Sequence, residues 1–260
     1  MRKTYRSRGV KEYWTSRWED IPVDAPMQNA SAYPLKFAAM TVTRPGARIL
    51  EAGCGAGRIL RYYQARGYDI VGIDYIGVAI EKLAAADPRL KVAVGDITNL
   101  QYGDGAFDYV LAFGLYHNIE HELDRAVSET YRVLRSGGAV CASFRADNWQ
   151  TRLTDWLTDR RRETGKSGRE FHKMNLTRQE FEALFVRAGF RVEYIAPVEN
   201  MPILYKFRFF RARSHKIFDE NRARAEGYRL SMLGGLLQRL MMRWAPDQFC
   251  NIYVLIARKP

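Results

Sequence analysis

The feature that most constrains the fold is a glycine-rich stretch, Glu51-Ala-Gly-Cys-Gly-Ala-Gly-Arg58, at the junction of two different patterns. An apolar run typical of a strand, 47–52, precedes it, and residues 57–66 carry apolar side chains at helical spacing. Glycines at such a junction let the chain turn sharply and let a ligand lie against the backbone. The spacing is G-x-G-x-G, not the G-x-G-x-x-G of dinucleotide-binding proteins. The stretch therefore predicts a ligand-binding loop.

The surrounding sequence alternates short apolar runs with helical patterns. The predicted strands after the loop are 69–74, 91–94, 107–113 and 139–144, and the predicted helices are 57–66, 78–86 and 123–134, the last broken by 136–138. Such alternation indicates βαβ units and a parallel sheet. Further on, Thr177 and Glu180 form a capping-box pattern at the start of a helix over 177–188, and two closing strands are predicted at 190–196 and 251–257.

Composition narrows the class of protein. With 47% hydrophobic residues among 260, the chain can bury a sizeable core, and no run approaches the roughly 20 apolar residues of a membrane span. The first ten residues lack the apolar run of a secretory signal. Cys54, Cys141 and Cys250 are far apart and odd in number, which disfavours a disulfide framework and a zinc site. We expect no metal and a cytoplasmic location.

The positive charge is unevenly distributed. The formal net charge is +12, from 41 Lys and Arg against 29 Asp and Glu. Residues 1–44 and 145–260 carry +4 and +10, whereas 45–144 carries −2. The segment with the glycine-rich stretch is thus slightly acidic, which suits a cationic ligand, and the basic excess lies on its flanks.

Acidic residues follow three consecutive predicted strands. Glu51 ends the first, Asp74 ends the second, and Asp96 follows the third. A carboxylate at the position of Glu51 would repel a pyrophosphate but suits a cation. Asp74 is placed to accept both hydroxyls of a ribose, and Asp96 can meet an adenine amino group.

Five ordered stretches, 49–58, 71–74, 95–96, 107–117 and 132–138, carry a family resemblance. Together they resemble the class I S-adenosylmethionine-dependent methyltransferases, and most closely the group that contains ubiquinone/menaquinone-biosynthesis and small-molecule enzymes. The resemblance covers about 45–145, with a weaker echo at 181–190. It implies an α/β, Rossmann-like, mostly parallel sheet with the last strand antiparallel, and S-adenosyl-L-methionine as cofactor.

The resemblance also implies roles for individual residues. The glycines of the loop line the methionine and ribose part of the cofactor, Asp74 binds the ribose, and the residues after the fourth strand lie near the reacting methyl group. The candidate cofactor-binding residues are Glu51, Gly53, Cys54, Gly55, Gly57, Asp74, Tyr75, Ile76, Asp96, Ile97, Phe113 and Gly114.

His117 is the candidate catalytic base because it follows the fourth strand, where the methyl group is expected. Many relatives have two histidines in this motif, whereas this chain has Gly114-Leu-Tyr-His117-Asn118. A contact with the cofactor side and a purely structural role therefore stay open for His117. We expect His121 to be solvated or to cap a helix, and His172 is a remote second candidate for the base.

The flanks of the domain face the acceptor in this family. We interpret 1–44 as a helical arm or lid and 45–260 as the methyltransferase domain, with acceptor-side helical insertions at 145–176 and 197–250. The segment 205–216 interleaves aromatic and basic residues. A helical stripe follows it: Leu230, Leu233, Leu237, Leu240, Met241 and Trp244.

Three interpretations of 205–244 stay open: a helical cap with its stripe buried over the substrate, a surface that meets a membrane or a lipid-linked anionic substrate, and a nucleic-acid groove. We favour the buried cap and disfavour nucleic acid. The function we predict is methyl transfer to a small molecule, a sugar or a lipid-linked metabolite, most often at oxygen, with an anionic acceptor. An RNA methyltransferase and a non-catalytic cofactor-binding scaffold are the alternatives. The sequence leaves the acceptor and the oligomeric state open.

Overall fold

The computed structural model describes residues 1–6, 9–23, 26–160, 169–215 and 228–260. Its strands are Arg2–Arg6 (β1), Arg48–Ala52 (β2), Asp69–Asp74 (β3), Lys91–Val94 (β4), Phe107–Ala112 (β5), Leu134–Arg145 (β6), Glu170–Asn175 (β7), Arg191–Val198 (β8) and Ile252–Arg258 (β9). Its α-helices are Val10–Asp20 (α1), Leu35–Thr41 (α2), Arg58–Gln64 (α3), Gly77–Ala86 (α4), Leu123–Val133 (α5), Trp149–Arg160 (α6), Arg178–Arg187 (α7), Met232–Trp244 (α8) and Pro246–Phe249 (α9).

The central element is a seven-stranded sheet in the order β4-β3-β2-β5-β6-β9-β8. The pairs β4–β3, β3–β2, β2–β5 and β5–β6 are parallel, and β9 is antiparallel to both of its neighbours. The predicted α/β class and the antiparallel last strand are confirmed. Because β2 to β6 are parallel, their carboxyl ends meet at one edge of the sheet, where ligands bind in such folds.

Apolar side chains fill both faces of this sheet. Ile49 of β2 packs with Leu60 of α3 and Leu83 of α4 on one face. The next residue, Leu50, packs on the other face in the same cluster as Val127 of α5 and Phe181 of α7. Successive strand residues point to opposite faces, so a strand covered on both sides is a continuous apolar run. This explains why the strands were visible in the sequence.

The boundary between α5 and β6 differs from the prediction. The sequence predicts a helix to residue 134, a break over 136–138 and a strand from 139, but β6 already begins at Leu134, which pairs with Phe107. The register shifts between Phe107 and Tyr109. A Cβ on Gly138 would lie 2.9 Å from the carbonyl oxygen of Asp108. The glycine therefore permits a close, irregular pairing and does not end the strand.

A second, two-stranded sheet was not predicted. It pairs β1 with β7 in antiparallel fashion, with Arg2 opposite Asn175. The interpretation of 1–44 and 145–176 as helical is wrong at these two strands. Both are short and polar, and each is stabilised by a partner about 170 positions away in sequence, so no local apolar pattern marks them.

The segment 197–250 is only partly helical. Three 3-10 turns, Ile203–Lys206, Arg208–Phe210 and Arg213–His215, precede α8 and α9. The end of the predicted aromatic–basic segment at Lys216 and the residues up to 227 lie outside the described residues, as do 161–168. The buried-cap interpretation of the stripe is wrong for Leu233, Leu237, Leu240 and Trp244, because all four are exposed.

Candidate functional site

The glycine loop joins β2 to α3 at the carboxyl edge of the sheet. Gly53, Gly55 and Gly57 all have positive φ, at 73°, 50° and 77°. A Cβ on Gly55 would lie 2.5 Å from the ring of Trp18, so this position needs glycine both for its backbone and for the close approach of α1. Cys54 is buried within the loop, and this burial raises the pKa of its thiol. The thiol is therefore protonated and has no nucleophilic role here.

Asp74, the last residue of β3, holds the loop in place. One carboxylate oxygen accepts a hydrogen bond from the backbone N–H of Gly55 at 2.9 Å, and the other accepts from the N–H of Ile76 at 2.9 Å. Burial raises the pKa of this carboxyl. The backbone N–H of Tyr75 also acts on this carboxylate. A carboxylate has about four acceptor sites, so one stays available for a ligand hydroxyl and the ribose role stays a prediction.

Glu51 is a buried acid without a full set of partners. Its side chain lies in the interior at the end of β2, and its Oε2 has no hydrogen-bond partner. Burial raises the pKa of the carboxyl to about 8, although Arg58 lowers it. A buried carboxyl in this state favours a cationic ligand, which would stabilise the ionised form.

Two further predicted contacts follow β3 and β4. Tyr75 is exposed, and the ammonium of Lys11 lies 5.0 Å from the centre of its ring. Asp96 is exposed and accepts hydrogen bonds from the backbone N–H and the hydroxyl of Thr98 at 2.8 and 2.9 Å. Ile97 is buried. These side chains present one aromatic ring and one carboxylate on the side of the loop away from His117.

Helix α1 covers the loop. Trp18 stacks on Trp14 with ring centres 5.5 Å apart. The Lys82 ammonium, from α4, donates to the carbonyl oxygens of Trp18, Glu19 and Ile21 at 2.7, 2.6 and 3.1 Å. A cation on the last carbonyls of a helix satisfies acceptors that lack intrahelical partners. The C-terminal end of α1 is thus attached to the domain beside the glycine loop.

The residues after β5 form the opposite side of the site. Gly114, at φ 72°, donates its N–H to the hydroxyl of Ser143 at 2.9 Å, and this hydroxyl also bonds the hydroxyl of Tyr33. The Tyr33 ring packs edge-on against Phe113 with centres 5.8 Å apart. The side-chain amide of Asn118 donates to the carbonyl oxygen of Gly114 at 2.7 Å. These bonds fix the turn that carries His117.

His117 is the histidine best placed for chemistry. It is 8% exposed, packs edge-on against Phe144, and has an unpartnered buried Nδ1. Burial lowers its pKa well below the usual value, so the imidazole is neutral. His121 is largely exposed. His172 is buried against Tyr13 and is not among the residues that line the cavity described next.

One cavity of about 860 Å³ runs along this edge of the sheet. His172 lies outside it, whereas His117 and all twelve candidate cofactor-binding residues line it: Glu51, Gly53, Cys54, Gly55, Gly57, Asp74, Tyr75, Ile76, Asp96, Ile97, Phe113 and Gly114. Their placement is as predicted, while their individual roles stay predictions.

The cavity also contains polar residues that the sequence did not reveal. Arg145 at the end of β6, Gln150 and Asp155 of α6, and Lys173 of β7 line the side near His117. The Nε of Arg145 and the Oε1 of Gln150 are buried without partners. No motif marks these positions. Their only sequence signal is the basic excess after residue 144.

Comparison with known proteins relates part of the chain to a family. A model of the family described as "Methyltransferase domain" matches residues 50–142. A probable S-adenosylmethionine-dependent methyltransferase from Mycolicibacterium smegmatis is 32% identical over 155 residues, 57% of this chain and 53% of its own length. Residues 50–142 are therefore similar to a methyltransferase domain, and the described residues share the fold of S-adenosylmethionine-dependent methyltransferases of known structure.

Two further matches show how much of the chain is similar to known proteins. A demethylmenaquinone methyltransferase from Beutenbergia cavernae is 34% identical over 108 residues, 41% of this chain and 44% of its own. The structure of a SAM-dependent methyltransferase from Methanosarcina mazei has a TM-score of 0.59 at 20% identity and covers 88% of this chain and 98% of its own. The chain spans about half the length of the curated relatives it matches.

The relative from Mycolicibacterium smegmatis is named as S-adenosylmethionine-dependent, and the residues that line the cavity of this chain fit S-adenosylmethionine. The unpartnered oxygen of Glu51 suits its positive charge. Asp74, Tyr75 and Asp96 add the acceptors and the aromatic ring that a ribose and an adenine need.

Proposed function

We propose that the protein transfers a methyl group from S-adenosylmethionine to an oxygen of a small molecule, a sugar or a lipid-linked metabolite. The observation that carries the proposal is the single cavity of about 860 Å³ with the glycine loop and Glu51 on one side and His117 on the other. A cofactor site and a proton acceptor that line the same cavity are what alkylation of a hydroxyl requires.

The residues of the cofactor side bind and orient. Bound S-adenosylmethionine supplies an electrophilic methyl group on a cationic sulfur. Glu51 provides the counter-charge, and Asp74 keeps the loop in the conformation that accepts the ligand while offering its remaining lone pairs. Trp14 and Trp18 cover the loop and exclude water, which limits hydrolysis.

His117 accepts the proton of the acceptor hydroxyl. Its burial keeps the imidazole neutral, and the unpartnered Nδ1 is available to take the proton as the new carbon–oxygen bond forms. Asn118 and Ser143 hold the adjoining backbone of Gly114, so the turn that carries the base is fixed before the acceptor binds.

The cofactor assignment is tested by calorimetry with S-adenosylhomocysteine. We expect wild-type protein to bind and an Asp74→Ala variant to bind at least tenfold more weakly, because the variant loses two charge-assisted hydrogen bonds that shape the loop. Lys91→Met, on the exposed start of β4, is the control and should bind as the wild type does. Absence of binding, or equal binding by the Asp74 variant, contradicts the assignment.

The acceptor is identified by incubating cell extracts with isotopically labelled S-adenosylmethionine and the protein, followed by mass spectrometry. We expect label on an oxygen of a small or lipid-linked molecule. Label in RNA, or no labelled product at all, contradicts the proposal; the latter result with intact cofactor binding identifies a non-catalytic scaffold.

A further inference from the structure

Cations from four separate elements converge on the His117 side of the cavity. Arg145 ends β6, Lys173 lies on β7, Arg6 ends β1 and Arg17 belongs to α1, and all four line the cavity. They come from positions far apart in the sequence, so their convergence is a property of the fold and not of a local basic run. We call this group the cation cluster.

Asp155 is the acid that contacts Arg145 of the cluster, and it is shared with a second arginine. Asp155 of α6 accepts a hydrogen bond from Nη2 of Arg145 at 2.5 Å and another from Nη1 of Arg2 at 2.8 Å. One carboxylate is therefore shared by two guanidinium groups, and the positive charge of Arg145 also acts on the nearby Lys173.

Two properties of the cluster point to a missing anion. The Nε–H of Arg145 is buried and has no acceptor, which costs free energy unless a ligand accepts it. The pKa of Lys173 is lowered to about 7 by burial and by the positive charges of Arg145, Arg6 and Arg17. An anion in the cavity would satisfy the first group and stabilise the charge of the second.

We propose that the cation cluster binds an anionic oxygen group, a carboxylate or a phosphate, of the methyl acceptor, with Arg145 and Lys173 as its donors. The name "methyl acceptor" rests on the proposed function. The anion site itself does not, and it is tested without methyl transfer.

The experiment titrates sulfate and, separately, acetate into protein saturated with S-adenosylhomocysteine, by calorimetry at constant ionic strength. We expect saturable binding to the wild type, at least tenfold weaker binding to Lys173→Met, and unchanged binding to the control Lys91→Met. The tighter of the two probes indicates a phosphate-like or a carboxylate acceptor. Equal binding by the Lys173→Met variant, or no saturable binding to the wild type, overturns the proposal. Retained S-adenosylhomocysteine binding shows that the cofactor site is intact in either case.

Proton linkage supplies a second readout. The anion prefers the protonated ammonium, so sulfate affinity should fall as pH rises above about 7, by up to about tenfold per pH unit. A Lys173→Arg variant keeps its charge and should bind sulfate without this dependence. The charged or titratable groups that face Lys173 are Arg145 of β6, Arg6 of β1, Arg17 of α1, Asp155 of α6 and His117 of the turn after β5. An unchanged pH profile in Lys173→Arg contradicts the assignment of the proton to Lys173.

A different observation, the orientation of α8, carries a second proposal. This helix buries Gly234 and Gln238 and exposes its large apolar side chains. A Cβ on Gly234 would lie 2.8 Å from the carbonyl oxygen of Phe210, and the Gln238 amide donates to Glu199 at 2.7 Å. The outward face, here called the α8 surface, consists of Met232 (91% exposed), Leu233, Leu236, Leu237, Leu240 and Trp244 (82% exposed).

Basic side chains border the α8 surface. Arg229, Arg239 and Arg243 are exposed on or beside the helix, and α8 itself has no acidic residue. Phe209, 77% exposed, extends the apolar area from the neighbouring 3-10 turn. An amphipathic helix with an apolar face, a tryptophan and flanking arginines is typical of segments that lie in the interface of an anionic bilayer.

We propose that the α8 surface docks on a membrane that contains anionic lipids. Charge complementarity favours this occupant, because a symmetric contact with a second copy would bring the same arginines together without acidic partners in α8. The surface lies beside the cavity: the turn Ile203–Lys206 contacts α8, and Ile203 and Lys206 line the cavity. None of the helices among the described residues is long and apolar enough to cross a membrane, so the contact is peripheral.

Vesicle co-sedimentation tests the second proposal. We expect binding to phosphatidylcholine–phosphatidylglycerol vesicles and little binding to phosphatidylcholine alone. Leu240→Ser with Trp244→Ser should reduce binding at least tenfold, and Arg239→Gln with Arg243→Gln about fivefold per arginine. Val186→Ser, which removes an exposed apolar group from α7, is the control. Equal binding by the Leu240/Trp244 variant, or a wild-type dimer in light scattering that this variant abolishes, overturns the proposal.

Discussion

The cavity has two ends with different titratable side chains: a cofactor end beside the glycine loop and, on the His117 side, the end that we propose for the acceptor. At the cofactor end, Glu51 and Asp74 lie at the ends of β2 and β3, and Asp96 follows β4; the three strands are neighbours in the sheet. At the acceptor end, His117 and Arg145 follow β5 and β6, and Lys173 joins them from the small sheet. Of these residues, the acids lie at or just after the ends of β4, β3 and β2, and the histidine and the two cations lie beyond β5.

The same physical cause acts on both ends. Removal from water raises the pKa of Glu51 to about 8, lowers that of Lys173 to about 7 and keeps His117 neutral. A bound cation would therefore stabilise the ionised form of Glu51, and a bound anion would stabilise the protonated form of Lys173. This difference is what the proposed function expects of a cavity that binds a cationic cofactor at one end and an anionic acceptor at the other.

The largest expected effect is on the turnover number, and it should leave the affinity for the cofactor unchanged. In His117→Ala we expect the turnover number to fall about 10²- to 10⁴-fold, because the proton acceptor is lost. Affinity for S-adenosylhomocysteine should stay within about twofold, since His117 belongs to the acceptor end. The measurement is steady-state methyl transfer alongside calorimetry. A parallel loss of cofactor affinity would contradict the division between the two ends.

The next effect concerns the cofactor end. Binding of the cation requires ionised Glu51, so the affinity for S-adenosylmethionine should rise as pH approaches about 8 and level off above it, by up to about tenfold per pH unit below. Glu51→Gln removes the titrating group, and its weaker affinity should not vary with pH in this range. Calorimetry in buffers of different ionisation enthalpy also detects the proton that wild-type protein releases. A pH-independent wild type would contradict the role of Glu51.

The smallest effect concerns helix α1, which covers the glycine loop and also carries Arg17 of the cation cluster. Lys82→Met removes the ammonium that holds three carbonyl oxygens of α1. We expect affinity for S-adenosylhomocysteine to fall about three- to tenfold, since surrogate water bonds replace the three lost contacts. Stopped-flow measurements should assign this loss to faster dissociation. Glu81→Gln, at the adjacent exposed position, is the control.

The cofactor end was predictable from sequence because its parts are local. The glycines and the three acids sit at the ends of consecutive strands, and the alternation of strand and helix fixes where those ends meet. The capping box at Thr177 and Glu180 was likewise readable, since both of its hydrogen bonds lie within three residues.

The acceptor end was not predictable for the converse reason. Lys173 enters the cavity through the pairing of β7 with β1, which no local pattern encodes. Helical periodicity correctly grouped Leu233, Leu237 and Leu240 on one face of α8. It could not indicate what lies against that face, and the buried contacts of Gly234 and Gln238 turned the stripe towards solvent.

The small sheet of β1 and β7 has a consequence for how acceptor choice can change. Among the described residues it joins the large sheet through an isolated bridge between Ala146 and Leu176 and not through a shared ladder. Substitutions in β7 can therefore reshape the acceptor end while the parallel strands, and with them the cofactor end, keep their register. We therefore expect that exchanging β1 and β7 together would change acceptor specificity without disturbing the large sheet.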